Sequence, residues 1–422
     1  MLLGCIADDL TGATDLGVTL AREGLSVVQA NGAPAVGMAV PPADAVVVAL
    51  KSRTSAPEDA IAQALSALAW LRARGAERIY FKYCSTFDST PRGNIGPVTE
   101  ALQQALGVVP GDPPTPATPA YPRNGRTVYL GHLFVGEALL SDSGMRNHPL
   151  TPMTDANLVR VLAAQTRGKV GLVAVTDIEN GIDAVRRRLA ALAEAGCRHA
   201  LIDATRDDHL VAAGAACLDL PLATGGAGLA LGLARALAPR ARPGGGVWSK
   251  PLPHGPVAWL SGSCSETTRA QIAAVRDTVT AIRLDPLALA GDPELVARSA
   301  GRAIAALGAK PVLVYATADP EAVANAQREL GVERAAKLVE DAFRRVARAL
   351  ADAGVRAFVV AGGETAGAVV ETLGVRALAI GPEIDPGVPW TLAVGGEPYR
   401  LALKSGNFGA RDFFVKATAM LR

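Results

Sequence analysis

Aromatic residues make up only 4% of this 422-residue chain, and histidine and cysteine occur five times each. The cysteines (Cys5, Cys84, Cys197, Cys217, Cys264) are scattered and form no CxxC pair. That argues against a zinc or disulfide framework and for free thiols in a reducing compartment. No His/Cys spacing fits closed tetrahedral coordination. An excess of one charge is also missing. The 42 Lys and Arg against 40 Asp and Glu leave a formal net charge of +2, with no long basic or acidic run. The electrostatic footprint of a nucleic-acid or membrane-surface binder is therefore absent. No apolar stretch is long and uninterrupted enough to span a bilayer. The first residues lack the basic region, apolar core and small-residue cleavage site of a signal peptide. A cytoplasmic protein with neither nucleic acid nor membrane as partner is the expectation.

What is abundant is Ala, Leu, Val and Gly. Half of the residues are hydrophobic, which suits tightly packed α/β layers. The length exceeds most single cores, so more than one domain is expected. Strand-like apolar runs alternate with helix-like stretches. Ala45 to Leu50, Arg78 to Tyr83, Arg126 to Leu130, Val170 to Val175 and His199 to Asp203 read as strands. Pro57 to Arg74, Gly96 to Leu106, Asp155 to Gln165 and Asp183 to Ala195 read as helices. Val108 to Gly125 is Pro-rich and reads as irregular, and Ser141 to Pro152 as an ordered loop. This is the βαβ rhythm of a parallel sheet covered by helices. Between Pro239 and Pro256 no core-forming pattern survives. The expected division is an N-terminal domain over 1–238, a linker over 239–256 and a C-terminal domain over 257–422. After the linker the rhythm restarts, with strands at Val257 to Leu260, Pro311 to Tyr315 and Ala357 to Ala361.

Ligands of open α/β sheets bind at the carboxyl ends of the strands, and the polar residues of the first domain gather there. Leu2 to Ile6 reads as a strand that runs into Asp8-Asp9-Leu10-Thr11-Gly12, with a helix over Ala13 to Arg22. A capping role would explain one of these aspartates but not both. Lys51-Ser52-Arg53-Thr54-Ser55 follows the second run, and Lys82 to Asn94 the third. Arg53 could grip a carboxylate through two hydrogen bonds, Lys82 could act as a point charge, and an aspartate could orient or deprotonate a hydroxyl. Together these loops point to a small anionic ligand. Gly131-His132-Leu133 and Ser143 to Asp155 form a possible second wall.

In the second domain, Ser261-Gly262-Ser263-Cys264-Ser265 and Gly362-Gly363-Glu364-Thr365 each follow a strand and open a helix. Backbone N–H groups and the helix dipole cradle phosphate in that geometry. Neither turn matches GxxxxGK[ST] or GxGxxG. Lys404-Ser405-Gly406-Asn407-Phe408-Gly409 is a third such cluster. Thr224 to Gly228 is a similar turn whose ligand stays open.

These segments together resemble the four-carbon acid sugar kinase family. The resemblance runs through Ile6 to Asp15, Leu50 to Thr54, Lys82 to Gly96, Thr224 to Gly228, Ser261 to Ser265, Gly362 to Thr365 and Leu403 to Gly409. Tyr129 to Phe134 and Met145 to Leu158 look most like a branch that phosphorylates the 4-hydroxyl of 3-oxo four-carbon acids with ATP. The resemblance implies two α/β lobes, each a largely parallel sheet covered by helices, with the active site in the cleft between them. It implies ATP and Mg²⁺ as cofactors and leaves the metal ligands unidentified. Asp8 and Asp9 become the catalytic candidates. Arg53, Lys82, Tyr83, Cys84, Ser85, Asp88, Arg92 and His132 become the candidate sugar-acid contacts. Ser261, Ser263, Gly362, Gly363, Glu364, Thr365 and Gly406 become the candidate ATP contacts. Ala227 and Ala366 stand where many members would carry a small polar residue. Threonate or erythronate kinase activity, and a non-catalytic sugar-acid sensor, are the rival readings. A homodimer is the candidate assembly.

Overall fold

The structure, a computed structural model, describes residues 1–34, 38–148, 151–242 and 255–421. The chain divides into two compact units, Met1–Gly246 and Val247–Arg422. Residues 243–254 of the expected linker, and Pro149 and Leu150 of the expected second wall, lie outside the described residues.

In the first unit the strands are β1 (Leu3–Ala7), β2 (Val27–Asn31), β3 (Ala45–Ala49), β4 (Ile79–Lys82), β5 (Thr115–Thr118), β6 (Arg126–Tyr129), β7 (His132–Val135), β8 (Ala138–Leu139), β9 (Lys169–Val173), β10 (Cys197–Ile202) and β11 (Leu222–Gly225). Eight of them form a parallel array in the order β2-β3-β1-β4-β11-β5-β10-β9. Parallel strands are covered on both faces, so they read as near-continuous apolar runs. β1 and β3 are buried throughout. Register decides where the polar loops begin. Ala7 lies opposite Ala49 on one side and Lys82 on the other. β1, β3 and β4 therefore end level with one another, and their loops start from one line.

The helix after β1 spans Leu10–Arg22, so it begins three residues earlier than Ala13, capped by Asp9. The stretch Val108 to Gly125 is not irregular throughout. It contains β5, an interior strand with all four residues buried. Pro116 removes a ladder donor and argues against a central strand on local grounds. Burial and pairing with β10 and β11 override that preference.

β6, β7 and β8 make a separate antiparallel sheet. Its first turn places Leu130 at φ 47° and Gly131 at φ 76°. A non-glycine residue there is strained. The Asp203 carboxylate accepts from Leu130 N (2.7 Å), Gly131 N (2.9 Å) and Val175 N (3.1 Å), which holds the turn.

The second unit contains β12 (Val257–Ser261), β13 (Thr280–Arg283), β14 (Val312–Tyr315), β15 (Ala357–Ala361), β16 (Ala377–Asp385), β17 (Val388–Val394) and β18 (Arg400–Lys404). Their order is β13-β14-β12-β15-β18-β17-β16. The first five are parallel, and β17 runs antiparallel to both its neighbours. Ser261 is level with Ala361, and Ala361 with Lys404. Trp259, Trp390, Phe413 and Phe414 anchor a core on one face of this sheet. Among the described residues no helix is long and apolar enough to cross a membrane.

Helices Asp207–Ala216 and Ala227–Leu237 meet at glycines. A Cβ on Gly214 would lie 2.4 Å from the Gly232 carbonyl carbon. Gly214→Val is expected to destabilise the first unit by about 1–3 kcal/mol or more. Gly301→Ala, on a helix position with open space around it, should instead stabilise the second unit by about 0.5–1 kcal/mol. Urea midpoints of the two variants would check both signs.

Candidate active site

The level ends of β1, β3 and β4 bring four charged side chains together. Asp8 follows β1 and is 3% exposed. Arg53 donates from Nε to Asp8 Oδ2 (2.9 Å) and from Nη2 to Asp8 Oδ1 (2.7 Å). The same Nη2 donates to Asp9 Oδ1 at 2.6 Å. Asp9 also accepts from Gly12 N (3.0 Å) and Thr11 Oγ1 (2.8 Å), as the N-cap of its helix. Lys82 Nζ sits 3.9 Å from Asp15 Oδ2. A Cβ on Gly12 would come within 2.2 Å of Asp9 Oδ1 and 2.6 Å of Lys82 Nζ. Gly12 is therefore required for space, so that the two charges can close over the helix start.

The two aspartates are electrostatically unlike. Burial raises the Asp8 pKa above the usual carboxylate value, although Arg53 opposes it. Burial pushes Asp9 the same way, but Arg53, Lys82, Thr11 and Gly12 together hold it below the ordinary value. Asp9 stays ionised, and its side chain is 23% exposed against 5% for Asp8. Arg53 Nη1 makes no hydrogen bond among the described residues.

Asn94, whose residue type carries no signal of a role here, holds this arrangement. Its Nδ2 donates to Ser52 O (2.8 Å), Ser55 O (3.1 Å) and Arg53 O (3.3 Å). Three carbonyls of the Arg53 loop thus hang on one buried amide at the start of helix Ile95–Ala105.

The other expected sugar-acid contacts fall in different places. Tyr83 is a correction: its side chain lies in the core, edge-on to Phe81 and Phe87, with its hydroxyl 3.2 Å from Thr224 Oγ1. Phe87 is held at φ 53° beneath it. Cys84 and Asp88 both contact Thr86 Oγ1, at 3.0 and 2.5 Å, and burial pushes the Cys84 thiol up to about 12. Ser85 is half-buried and Arg92 exposed. His132 sits on β7, away from these strand ends in the chain's topology. Its Nδ1 lies 2.9 Å from Leu130 O and its Nε2 3.3 Å from Asn157 Nδ2. The carbonyl and the amide assign the proton to Nδ1, so both ring nitrogens are engaged within the protein.

In the second unit the turns after β12, β15 and β18 converge. Gly362 has φ 120°, a backbone conformation that favours glycine, and a Cβ there would meet Ser263 N at 3.1 Å. A Cβ on Gly262 would lie 2.1 Å from Thr365 Oγ1, and one on Gly406 2.4 Å from Ser263 Oγ. Helix Gly363–Thr372 starts without a side-chain cap, at the exposed residues Gly363 and Glu364, so its first N–H groups have no intrahelical acceptor. Ser261 is a second correction. It is fully buried, with Oγ 2.7 Å from Thr317 Oγ1, and supports the turn from below.

Lys404 lies beneath these turns, fully buried. Its Nζ donates to Thr268 Oγ1 (2.9 Å), Ser405 O (2.9 Å) and Gly406 O (3.0 Å). Ser265 Oγ (2.6 Å) and Thr268 Oγ1 (2.8 Å) also reach Gly406 O. Three donors on one carbonyl fix the peptide, so the Asn407 N–H on its opposite side points away from Lys404. Among the described residues no carboxylate pairs with Lys404, and burial lowers its pKa to about 7. A lysine that ends an apolar strand was the sequence signal for it, shared with Lys82.

Two known domain families match the chain. One is described as a sugar-binding N-terminal domain and covers residues 3–233. The other is a nucleotide-binding C-terminal domain over residues 258–414. A Pseudomonas fluorescens 3-oxo-tetronate kinase is 55% identical over 424 residues, covering 100% of this chain and 97% of its own. A Brucella melitensis protein of the same name is 47% identical, covering 99% and 95%. A Salmonella typhimurium LT2 crystal structure, provisionally described as a tRNA synthase, superposes with TM-score 0.89 at 42% identity, over 100% of this chain and 99% of its own. A Haemophilus influenzae structure gives TM-score 0.81 at 43% identity, over 99% and 100%.

Two outcomes are expected of this geometry. Asn94→Ala leaves buried carbonyls unpaired and is expected to cost about 1–3 kcal/mol, with faster amide exchange over residues 52–55. Lys404 binds a proton more weakly folded than unfolded, so between about pH 7 and its unfolded value the unfolded chain holds the extra proton. Stability should therefore rise with pH through that window in the wild type and lose this component in Lys404→Met, as urea titrations at several pH values would show.

Proposed function

The chain belongs to the four-carbon acid sugar kinase family, and on that premise we propose that it transfers the γ-phosphoryl group of ATP to the 4-hydroxyl of a 3-oxo-tetronate. The observation that carries this reading is the agreement in name among full-length relatives, 44–55% identical, in eight bacteria. The two family descriptions match the chemistry at each strand edge. A cationic and acidic cluster in the first unit suits a sugar acid, and backbone turns in the second suit phosphates.

We assign the sugar acid to the first edge. Arg53 Nη1 and Lys82 Nζ supply positive charge for its carboxylate and oxo group. Asp9 meets the hydroxyl. It is the more exposed aspartate and is ionised before transfer, so it accepts the hydroxyl hydrogen bond and takes up the hydroxyl proton as the new O–P bond forms and the bond to the ADP oxygen breaks. Phosphoryl transfer has a loose transition state, and orientation of the nucleophile counts for more than early proton removal. Asp8 has a different part: both its oxygens anchor Arg53.

We assign the phosphates to the N–H groups of Gly363 to Thr365, with the Gly362 and Gly406 turns and the Ser263 hydroxyl beside them. Mg²⁺ would neutralise phosphate charge. No group of three His, Cys, Asp or Glu side chains among the described residues is arranged to hold a metal. That donor set fits an ion carried mainly by phosphates and water, with Glu364 as the side chain to reach its water shell.

A coupled assay of ADP release with ATP and a panel of 3-oxo-tetronates, threonate and erythronate tests the reading. Turnover should be highest with a 3-oxo acid. Preference for threonate or erythronate would replace the substrate, and no acid-dependent ADP release would leave a sensor. Asp9→Asn keeps a competent N-cap and is expected to lower kcat by about 10²–10⁴ with little change in melting temperature. Asp8→Asn should instead lose roughly 2–3 kcal/mol of stability, because Arg53 keeps its charge without its anchor. Equal turnover of Asp9→Asn and wild type would refute the Asp9 assignment.

A further inference from the structure

Asp8 and Asp9 have parts in the proposed reaction, and the third acid of the same segment, Asp15, has none. Thr11, Asp15 and Thr19 lie four residues apart on helix Leu10–Arg22 and so share one face of it. Thr11 Oγ1 donates to Asp9. Thr19 Oγ1 donates to the Asp15 carbonyl (3.0 Å) and lies 3.1 Å from the Tyr121 hydroxyl. Asp15, between them, is 4% exposed, and its Oδ2 stands 3.9 Å from Lys82 Nζ. Burial, and after it the charge of Asp15, raises the proton affinity of the Tyr121 phenol, which places that charge inside the same wall.

Lys82 is as buried as Asp15. An ammonium group removed from water needs an anion close by. Asp8, Asp9, Asp15 and Cys84 are the acidic groups that feel its charge or face it. Arg53 occupies both oxygens of Asp8. Asp9 is shared among Arg53, Thr11 and Gly12. Cys84 keeps its proton, because burial raises its pKa. Among the described residues Lys82 makes its ion pair with Asp15 and none with Asp9. A Cβ on Gly12 would press on Asp9 Oδ1 and on Lys82 Nζ. The ammonium group therefore lies beside the first helical turn, with Asp9 before Gly12 in the chain and Asp15 after it. Whichever acid pairs with Lys82 gives up a lone pair to it, and pairing with Asp15 spares Asp9.

We propose that Asp15 is a positioning residue of the sugar-acid site. It holds the Lys82 ammonium group against the helix and out of an ion pair with Asp9, so that Lys82 meets the charged end of the substrate and Asp9 keeps a lone pair for the hydroxyl. The proposal rests on the sugar-acid reading of the first unit and adds a residue that acts there only through Lys82.

Steady-state kinetics of the full chain test it with Asp15→Asn, which keeps the shape and removes the charge, Asp15→Glu, which restores the charge, and Lys82→Met, alone and combined with Asp15→Asn. Asp15→Asn is expected to lower kcat/KM for the 3-oxo acid by about tenfold or more and to leave KM for ATP within about twofold of the wild type. Asp15→Glu should recover most of that loss. Lys82→Met should lose at least as much as Asp15→Asn, and adding Asp15→Asn to it should change kcat/KM by less than about twofold, because the effect passes through Lys82. Losses that multiply in the double variant would overturn the proposal, and so would an unchanged kcat/KM in Asp15→Asn or an equal weakening of acid and ATP. If Asp15→Asn alone does not fold, the Lys82→Met background decides: a further fall of about tenfold there overturns the proposal, and no further fall supports it. A wild type without acid-dependent ADP release would end the sugar-acid reading itself, whereas a wild type that turns over beside an unaffected Asp15→Asn would end the role of Asp15 alone.

Discussion

Arg53 lies against two neighbouring carboxylates, one of them almost wholly removed from water. Two adjacent aspartates at the end of a buried strand would repel each other and resist desolvation. The guanidinium answers both problems with one planar fork, which a lysine could not reproduce. Everything else at that edge serves this arrangement. β1 and β3 must end level, Gly12 must lack a side chain so that Asp9 and Lys82 can approach, and Asn94 must hold the Arg53 loop by its carbonyls. The result is a site whose cations are partly neutralised by its own acids and whose two acids have been driven apart in proton affinity.

The second unit solves the opposite problem. In the proposed reading its turns present bare N–H groups to an anion, and bare backbone needs support from behind. Lys404, Thr268 and Ser265 give that support by gathering on the Gly406 carbonyl. The absence of side chains at Gly262, Gly362 and Gly406 lets three turns from three strands touch. Lys404 has no carboxylate partner among the described residues, and burial lowers its proton affinity, so its part beneath those turns is hydrogen bonding to backbone oxygens.

Much of this architecture is legible in the sequence. Parallel strands with both faces covered appear as apolar runs, so β1, β3 and β4 and the polar segments after them can be read directly. β5 cannot, because Pro116 and its neighbours carry no local strand preference, and only two flanking strands make that segment extended. Tyr83 and Ser261 read as ligand contacts because they adjoin other candidate contacts. Their side chains point into the core, and one-residue alternation along a strand end is too short a pattern to tell those directions apart. Asn94 gives no signal of its own, since a single amide in a polar loop looks like any other.

The order of residues by itself determined the two α/β units, the polar clusters at their strand ends and the family to which the chain belongs, because those depend on periodicity and on motifs read along one dimension. Tertiary structure decided the division of labour: Asp8 as anchor of Arg53, Asp9 as the more exposed acid, and Lys404 as support beneath a turn. Those depend on burial and on distances between residues far apart in the chain. Burial sets the proton affinity of a carboxylate, and residue type does not.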